Sequence, residues 1–347
     1  MAEPRFWQSA AHPLSLALMP VSLVYRGLEA ANRKVTQTQH PGKPVICVGN
    51  LTAGGAGKTP TVRWLAEQLA AQGRRPAILS RGYGGEEKGP LKVLANAHNA
   101  AQVGDEPLML AADWPVYVGA DRMQSLRLAV QDGADLMIKD DGFQNPSMAH
   151  HFNLIVVDGA TGIGNGRLLP SGPMRQPLAV ALDRLDALLV LGAPKHASLA
   201  LLMDAVEAFG KPVFSGRIDA KKTATKTTTQ TGSEKVYGFC GIAKPEKFRA
   251  SLEAQGYQVS DVRAFSDHHD FSEADAKQLL ALETPLITTE KDMARLQGAK
   301  PESARAQLAA AADVLKVELK VDNQAALLQA IETAIADGQA NQNYKSY

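Results

Sequence analysis

Residues 44–73 read as a buried strand, a glycine-rich turn and a helix in unbroken succession, an order that few folds accept. "PVICVG" (44–49) is a continuous apolar run of strand length, the pattern of a strand buried on both faces of a parallel sheet. "NLTAGGAGKTP" (50–60) follows. Beyond it, Val62, Leu65, Ala66 and Leu69 recur at helical spacing until Gly73 stops the run. A phosphate-binding loop in this setting is written G-x-x-x-x-G-K-[ST]. Gly57, Lys58 and Thr59 close that pattern, while Thr52 stands where the first glycine belongs. Gly54, Gly55 and Gly57 let backbone N–H groups close round phosphate oxygens, and the helix N-terminus adds partial positive charge. Thr52 costs little if it lies at the mouth of the loop, where the backbone need not turn left-handed. The nucleotide-binding segment is then Thr52, Ala53, Gly54, Gly55, Ala56, Gly57, Lys58, Thr59 and Pro60. Lys58 would reach the β- and γ-phosphates and Thr59 would offer its hydroxyl to Mg2+.

The rest of the chain extends this α/β pattern. "PAILS", "VYVG", "DLMIKDD", "NLIVVDG" and "ALLVLGAP" are further strand-like runs with helical segments between them. They predict a parallel sheet of P-loop NTPase type with helices on both faces. Residues 221–235, "KKTATKTTTQTGSEK", are polar and threonine-rich and read as a loop near a boundary. "KVYGFCGI", a helix from Pro245, "QVSDVRAF", a helix near Ser272 and "PLITTEKD" form a second, smaller α/β set. "DVLKVELKV" alternates as a strand and is expected to pair with "PVFSGRI", giving a two-stranded linker between lobes. The expected division is an N-terminal region over 1–34, a P-loop domain over 35–212, a smaller lobe with hinge strands over 213–321, and a helix over 322–340 packing back on the first domain.

A P-loop needs an acid for Mg2+ at the end of a neighbouring strand, and Asp140 and Asp141 follow "LMIK". Lys139 interrupts that apolar run. Adjacent acids on a strand point to opposite faces, so one is expected to approach the metal directly. No N-K-x-D guanine motif and no D-x-x-G switch accompany the loop, which leaves ATP and an acceptor. Two candidates for acceptor chemistry have plain alternatives: "SDHHDF" (266–271) as a solvated or capping cluster, and Asp105 in "GDEP" as a helix N-cap. The 37 Lys and Arg balance 36 Asp and Glu, so no global charge calls for nucleic acid. Cys47 and Cys240 lie in apolar runs without metal-ligand spacing, which suits buried thiols in a reducing compartment. Residues 13–25 are apolar, with Pro20 inside and Arg26, Arg33 and Lys34 behind. The run is too short to span a bilayer and lacks a signal-cleavage site. It fits an interfacial helix on anionic headgroups, or a helix packed on the protein's own core.

In order, "GNLTAGGAGKTP", "SRGYGG", "GDEP", "DDGFQ", "GNGRLLPSGPMR", "FSDHHDF" and "TTEKD" resemble the tetraacyldisaccharide 4'-kinase family of lipid A biosynthesis. The resemblance runs over roughly residues 44–296 plus the amphipathic N-terminus, and the family tolerates a non-glycine at the position of Thr52. It implies ATP-dependent phosphorylation of the 4'-hydroxyl of a lipid A disaccharide 1-phosphate at the cytoplasmic face of the inner membrane, with no protein partner. It also implies a catalytic Asp–His dyad, mapped onto Asp105 and His268 beside Lys58, with His269 the weaker of the two histidines and the proton acceptor undecided. Arg81, Arg122 and Arg175 fall in matching loops and are expected to hold the substrate's 1-phosphate or the transferring phosphoryl group, since a guanidinium offers bidentate bonds. Gln176 departs from the acid that members often carry there. Glu290 and Lys291 could contact nucleotide or form a surface turn. A bilayer-resident substrate favours the membrane reading of residues 13–25. The competing class is a P-loop ATPase or metallochaperone-type protein coupling hydrolysis to a protein partner, which accounts for the loop and acids only.

Overall fold

The computed structural model describes residues 4–221 and 235–341. The threonine-rich boundary segment expected to be a loop lies outside the described residues over 222–234. Twelve strands occur among the described residues. They are β1 Val45–Gly49, β2 Pro76–Ser80, β3 Leu91–Lys92, β4 Val116–Val118, β5 Leu136–Asp140 and β6 Phe152–Asp158. They continue as β7 Ala187–Leu191, β8 Val213–Lys221, β9 Lys235–Cys240, β10 Gln258–Ala264, β11 Leu286–Thr289 and β12 Asp313–Val321. Two compact units divide them.

The larger unit comprises Glu3–Arg81, Gly119–Ile218 and Leu319–Tyr347, so far as these are described. Its sheet runs β8-β7-β6-β1-β5-β2, with β1 parallel to β5 and β6, β2 to β5, β6 to β7 and β7 to β8. β1, β2, β5, β6 and β7 are buried along their whole length, Lys139 of β5 included, as strands covered by helices on both faces are. Cys47, Leu51, Phe143, Ile155, Leu188, Leu199 and Leu202 belong to one core cluster beneath the glycine-rich loop. Asp322 donates its N–H to Ser215 O across 3.0 Å where β12 neighbours β8, the pairing expected from the alternating sequence. The Gln324–Asn341 helix belongs to this unit, with Glu332 2.6 Å from Arg74.

The smaller unit contains Gly82–Val118 with Asp219–Glu318. The sequence reading placed residues 82–118 in the P-loop domain. Their local α/β pattern is the same in either unit, so only tertiary contacts assign them. The unit's parallel sheet runs β10-β9-β11-β12, and β3 and β4 form an antiparallel pair. Phe239, Phe271, Leu279, Leu286, Leu296 and Leu308 fill one side of its core, and Val236, Cys240, Leu252, Ile287 and Leu315 another. Cys47 and Cys240 are both buried free thiols.

The apolar N-terminal run is not one interrupted helix. It forms helices Pro13–Ala17 and Met19–Val35, and Pro20 occupies the first turn of the second, where its missing N–H needs no partner. The pair is inverted in polarity. Ser15 and Ser22 are its buried residues, while Leu23 and Leu28 are 66% and 68% exposed. The serines bond to the "RLLPSGPMR" loop: Ser15 Oγ to Ser171 O at 2.7 Å and Ser22 Oγ to Leu168 O at 2.9 Å. No described helix is long and apolar enough to cross a membrane.

Candidate active site

In the larger unit, the glycine-rich loop leaves β1 and enters the Lys58–Ala71 helix through Gly57, whose φ of 90° is left-handed. The conformation is what calls for glycine; a Cβ there would in addition lie 2.5 Å from Leu191 Cδ1 and displace that side-chain tip. Gly54 also has positive φ, whereas Thr52 does not. Thr52 instead bridges Met174 in antiparallel fashion, and Ala53 N donates to Pro173 O at 2.8 Å. The loop mouth is therefore held by the "SGPM" segment rather than by a second left-handed turn. This is why the missing glycine is tolerated. Asn50, which the sequence reading passed over, stitches the loop internally: its Nδ2 donates to Thr52 O at 2.6 Å and Gly54 O at 3.3 Å.

Asp140 ends β5 beside Val48 of β1 and is almost fully buried. Asp141 follows with a φ of 49°, a conformation that a non-glycine residue adopts only when its surroundings impose it. Those surroundings are cationic. Arg175 Nη1 lies 2.9 Å from Asp141 Oδ1 and 3.1 Å from Oδ2, and Lys58 Nζ is 3.6 Å from Oδ2. Burial alone would push the Asp141 carboxyl up, but Lys58 and Arg175 outweigh it and hold it below the usual carboxylate range. Gln144 of "DDGFQ" returns its Nε2 to Asn50 O at 2.8 Å, tying the acid turn to the end of β1.

The three candidate phosphate arginines separate. Arg175 is engaged with Asp141, and Arg81 is exposed. Arg122 is 4% exposed, and its Nη1 donates to Gly119 O at 2.8 Å and Ala120 O at 2.9 Å. Burial lowers its pKa, Arg81 adds to that, and Asp140 and Asp141 oppose it. Arg122 is thus an internal cation near the acids rather than an open phosphate ligand. Gln176 is fully buried. Among the described residues, no three His, Cys, Asp or Glu side chains form a preformed metal cage. Mg2+ does not need one, because it keeps waters and takes phosphate oxygens alongside one or two protein ligands. The Thr59 hydroxyl and the Asp140 carboxylate are hard oxygen donors of that kind.

In the smaller unit, Asp105 opens the Asp105–Leu110 helix rather than capping it. Gly104 before it has φ 90°, and a Cβ there would meet Tyr83 O at 2.6 Å. Asp105 Oδ1 accepts from Glu106 N at 2.9 Å. Its Oδ2 accepts from Arg295 Nε at 3.0 Å and from Arg295 Nη2, and it lies 3.1 Å from His268 Nδ1. His268 has φ 58°, so Asp141 and His268 are the two non-glycine residues with positive φ among the described residues. Burial pushes the Asp105 carboxyl up. The His268 bond and Arg295 reverse that and hold it far below its ordinary range. The Asp105 bond raises the His268 pKa, against burial and Arg295. The pair borders a cavity of about 390 Å³, also lined by Tyr83, Asn99, Arg295 and Arg305.

"TEKD" is not a surface turn. Thr289 caps the Glu290–Leu296 helix, Asp292 is wholly buried, and Lys291 pairs with Glu106. Glu290 Oε2 accepts from Val317 N at 3.4 Å. His269 stacks on Phe265 and lies 3.0 Å from Asp275, a structural role. Arg295 escaped the sequence reading. The available signal was its i,i+3 spacing from Asp292, which places both on one helix face once the segment is read as helical.

Residues 14–336 match the model of the LpxK family, tetraacyldisaccharide-1-P 4'-kinase. A tetraacyldisaccharide 4'-kinase of Parvibaculum lavamentivorans is 44% identical, with 97% of this chain and 98% of that protein covered. One of Bradyrhizobium sp. strain ORS 278 is 44% identical over 86% of this chain and 88% of its own length. Among solved structures, LpxK from Aquifex aeolicus, described as an "apo" form in complex with ATP, superposes with a TM-score of 0.71 at 26% identity, covering 93% of this chain and 99% of that one.

Proposed function

The chain belongs to the tetraacyldisaccharide-1-P 4'-kinase family of lipid kinases, and on that footing we propose that it phosphorylates the 4'-hydroxyl of the tetraacyldisaccharide 1-phosphate at the cytoplasmic face of the inner membrane. The observation that carries the reading is a P-loop followed by an acid turn in one chain with a hydrogen-bonded Asp–His pair. The glycine-rich loop cradles the ATP phosphates, and Lys58 neutralises charge on the β- and γ-phosphates. Thr59 and Asp140 would hold Mg2+, with Asp141 oriented beside them by Lys58 and Arg175. When bound, the ion screens the phosphate charge that otherwise repels the incoming hydroxyl. Asp105 and His268 deal with the acceptor's proton.

Membrane attachment belongs to the same reading. The Met19–Val35 helix turns leucine and valine outward and serine inward, which suits an apolar solvent on its outer face. Its last turn carries Arg33 and Lys34, which suit anionic headgroups.

The test is transfer of label from γ-labelled ATP and Mg2+ to the disaccharide 1-phosphate in detergent micelles, run with Lys58→Ala and Asp105→Ala beside the unaltered protein. Labelled lipid, lost in both variants, is the expected result. ATP hydrolysis without labelled lipid would overturn the reading in favour of a partner-coupled ATPase.

A further inference from the structure

The Met19–Val35 helix places Ser22, Tyr25 and Glu29 on one face, and Ser22 is buried while the other two are partly buried. Ser22 attaches the helix to Leu168 O. Tyr25 reaches further along the same segment, where its hydroxyl donates to Arg175 O at 2.8 Å. On the other side of that residue, Arg175 N donates to Leu51 O at 2.9 Å, just beyond β1. The peptide groups on both sides of the Arg175 Cα are thereby fixed. With two soft torsions per residue, the direction of its Cα–Cβ bond follows. The guanidinium at the end of that side chain lies 2.9 and 3.1 Å from the two Asp141 oxygens. Burial and then Glu29 push the Tyr25 pKa up, with Arg175 opposing, so the phenol keeps its proton and remains a donor. All of these residues lie in the larger unit.

Two cations compete for the single charge of Asp141. Arg175 holds both of its oxygens at hydrogen-bond distance, whereas Lys58 Nζ stands back at 3.6 Å from Oδ2. We propose, resting on the kinase reading of this site, that Tyr25 is a positioning residue for ATP: by fixing the Arg175 backbone it keeps the guanidinium on Asp141, and so leaves the Lys58 ammonium to the β- and γ-phosphates. With Arg175 displaced, Asp141 would take Lys58 as its closest partner. An ammonium already neutralised by a carboxylate is a poorer ligand for phosphate. The same contacts tie the helix that carries Leu23 and Leu28 to the glycine-rich loop, because Pro173 O of the intervening segment accepts from Ala53 N.

The test is a double-mutant cycle on Mg–ATP affinity, read by calorimetry on the full chain without lipid. Tyr25→Phe removes one hydrogen bond and little bulk. It should raise the ATP Kd about fivefold, the equivalent of one ordinary hydrogen bond. In an Arg175→Met background no guanidinium is left to position, and the same change should move Kd by less than about twofold. Ser22→Ala loses the helix's bond to Leu168 but not the one to Arg175, and it should also stay within about twofold. An unmoved Kd in Tyr25→Phe would overturn the proposal. So would equal losses in Tyr25→Phe and Ser22→Ala, which would assign the effect to attachment of the helix. An undiminished loss in the Arg175→Met background would overturn the route through Arg175. If Arg175→Met does not fold, Asp141→Asn supplies the second background, since the charge competed for is then gone. Label transfer to the lipid is scored separately: the expected Kd pattern without labelled lipid would defeat the kinase reading and leave the role of Tyr25 standing. A chain that binds no ATP would overturn both.

Discussion

Lys139 stands one residue before the end of β5 with its side chain wholly buried, its ammonium 3.1 Å from His150 Nε2 and 3.5 Å from Asn145 O. Its methylenes fill the space over Gly142, where a Cβ would come within 2.3 Å of Lys139 Cε. Burial pushes its pKa down from 10.5 to about 8, and Arg122 and Arg184 add to that fall against the nearby Cys47. The depression corresponds to about 3 kcal/mol against the charged form. Below pH 8 both folded and unfolded chains carry the proton and the folded one bears the full cost. Between pH 8 and 10.5 the unfolded chain holds more protons, so stability rises with pH across that window. Lys139→Met, close in length and uncharged, should therefore stabilise the protein by about 1–3 kcal/mol at pH 7. It should also flatten the rise between pH 8 and 10.5. Urea unfolding of both proteins across that range is the check, and a loss of stability at pH 7 would refute it. Lys139 stood out in the sequence because it breaks an apolar run. Arg295 did not, because its partner Asp105 is 190 positions away and no local pattern joins them.

Elements were legible where their signal is local. The buried strands announced themselves as apolar runs, and the helix expected near Ser272 begins there, with Ser272 as its cap. Pro20 misled because a proline inside an apolar run looks like a break, whereas a proline in a first turn starts a helix. The serines at 15 and 22 carry the information about orientation, and it becomes readable once their bonds to Ser171 and Leu168 are known. With its polar side anchored, the helix pair presents its apolar side outward. Leu23→Glu with Leu28→Glu removes two exposed leucines, each worth about 2 kcal/mol when buried in an apolar medium. Affinity for vesicles containing anionic lipid should fall on the order of 100-fold or more, read by co-sedimentation. Affinity for ATP should not change, because neither side chain belongs to the phosphate loop. Unchanged vesicle binding would mean that the face has another purpose.

At the scale of the whole molecule, the proposed function divides its two chemical tasks between different units. On that proposal, phosphate binding would fall to Gly57, Lys58 and the Asp141–Arg175 pair in the larger unit, and proton handling to Asp105 and His268 in the smaller. The sequence foretold two α/β sets but not that residues 82–118, which bring Asp105, fold with the second. Their strand and helix signals are local, and membership of a unit is a matter of long-range contacts. The division has a measurable consequence. Removing a general base costs about 10²–10⁴ in rate and need not touch ground-state nucleotide binding. His268→Ala should thus lower kcat by that order while leaving ATP affinity, measured by calorimetry, within about twofold. Lys58→Ala should do the reverse in one respect: it should weaken ATP binding, since Lys58 begins the helix that follows the glycine-rich loop. A large loss of ATP affinity in His268→Ala with kcat little changed would defeat the assignment of tasks, whatever the labelled-lipid assay showed.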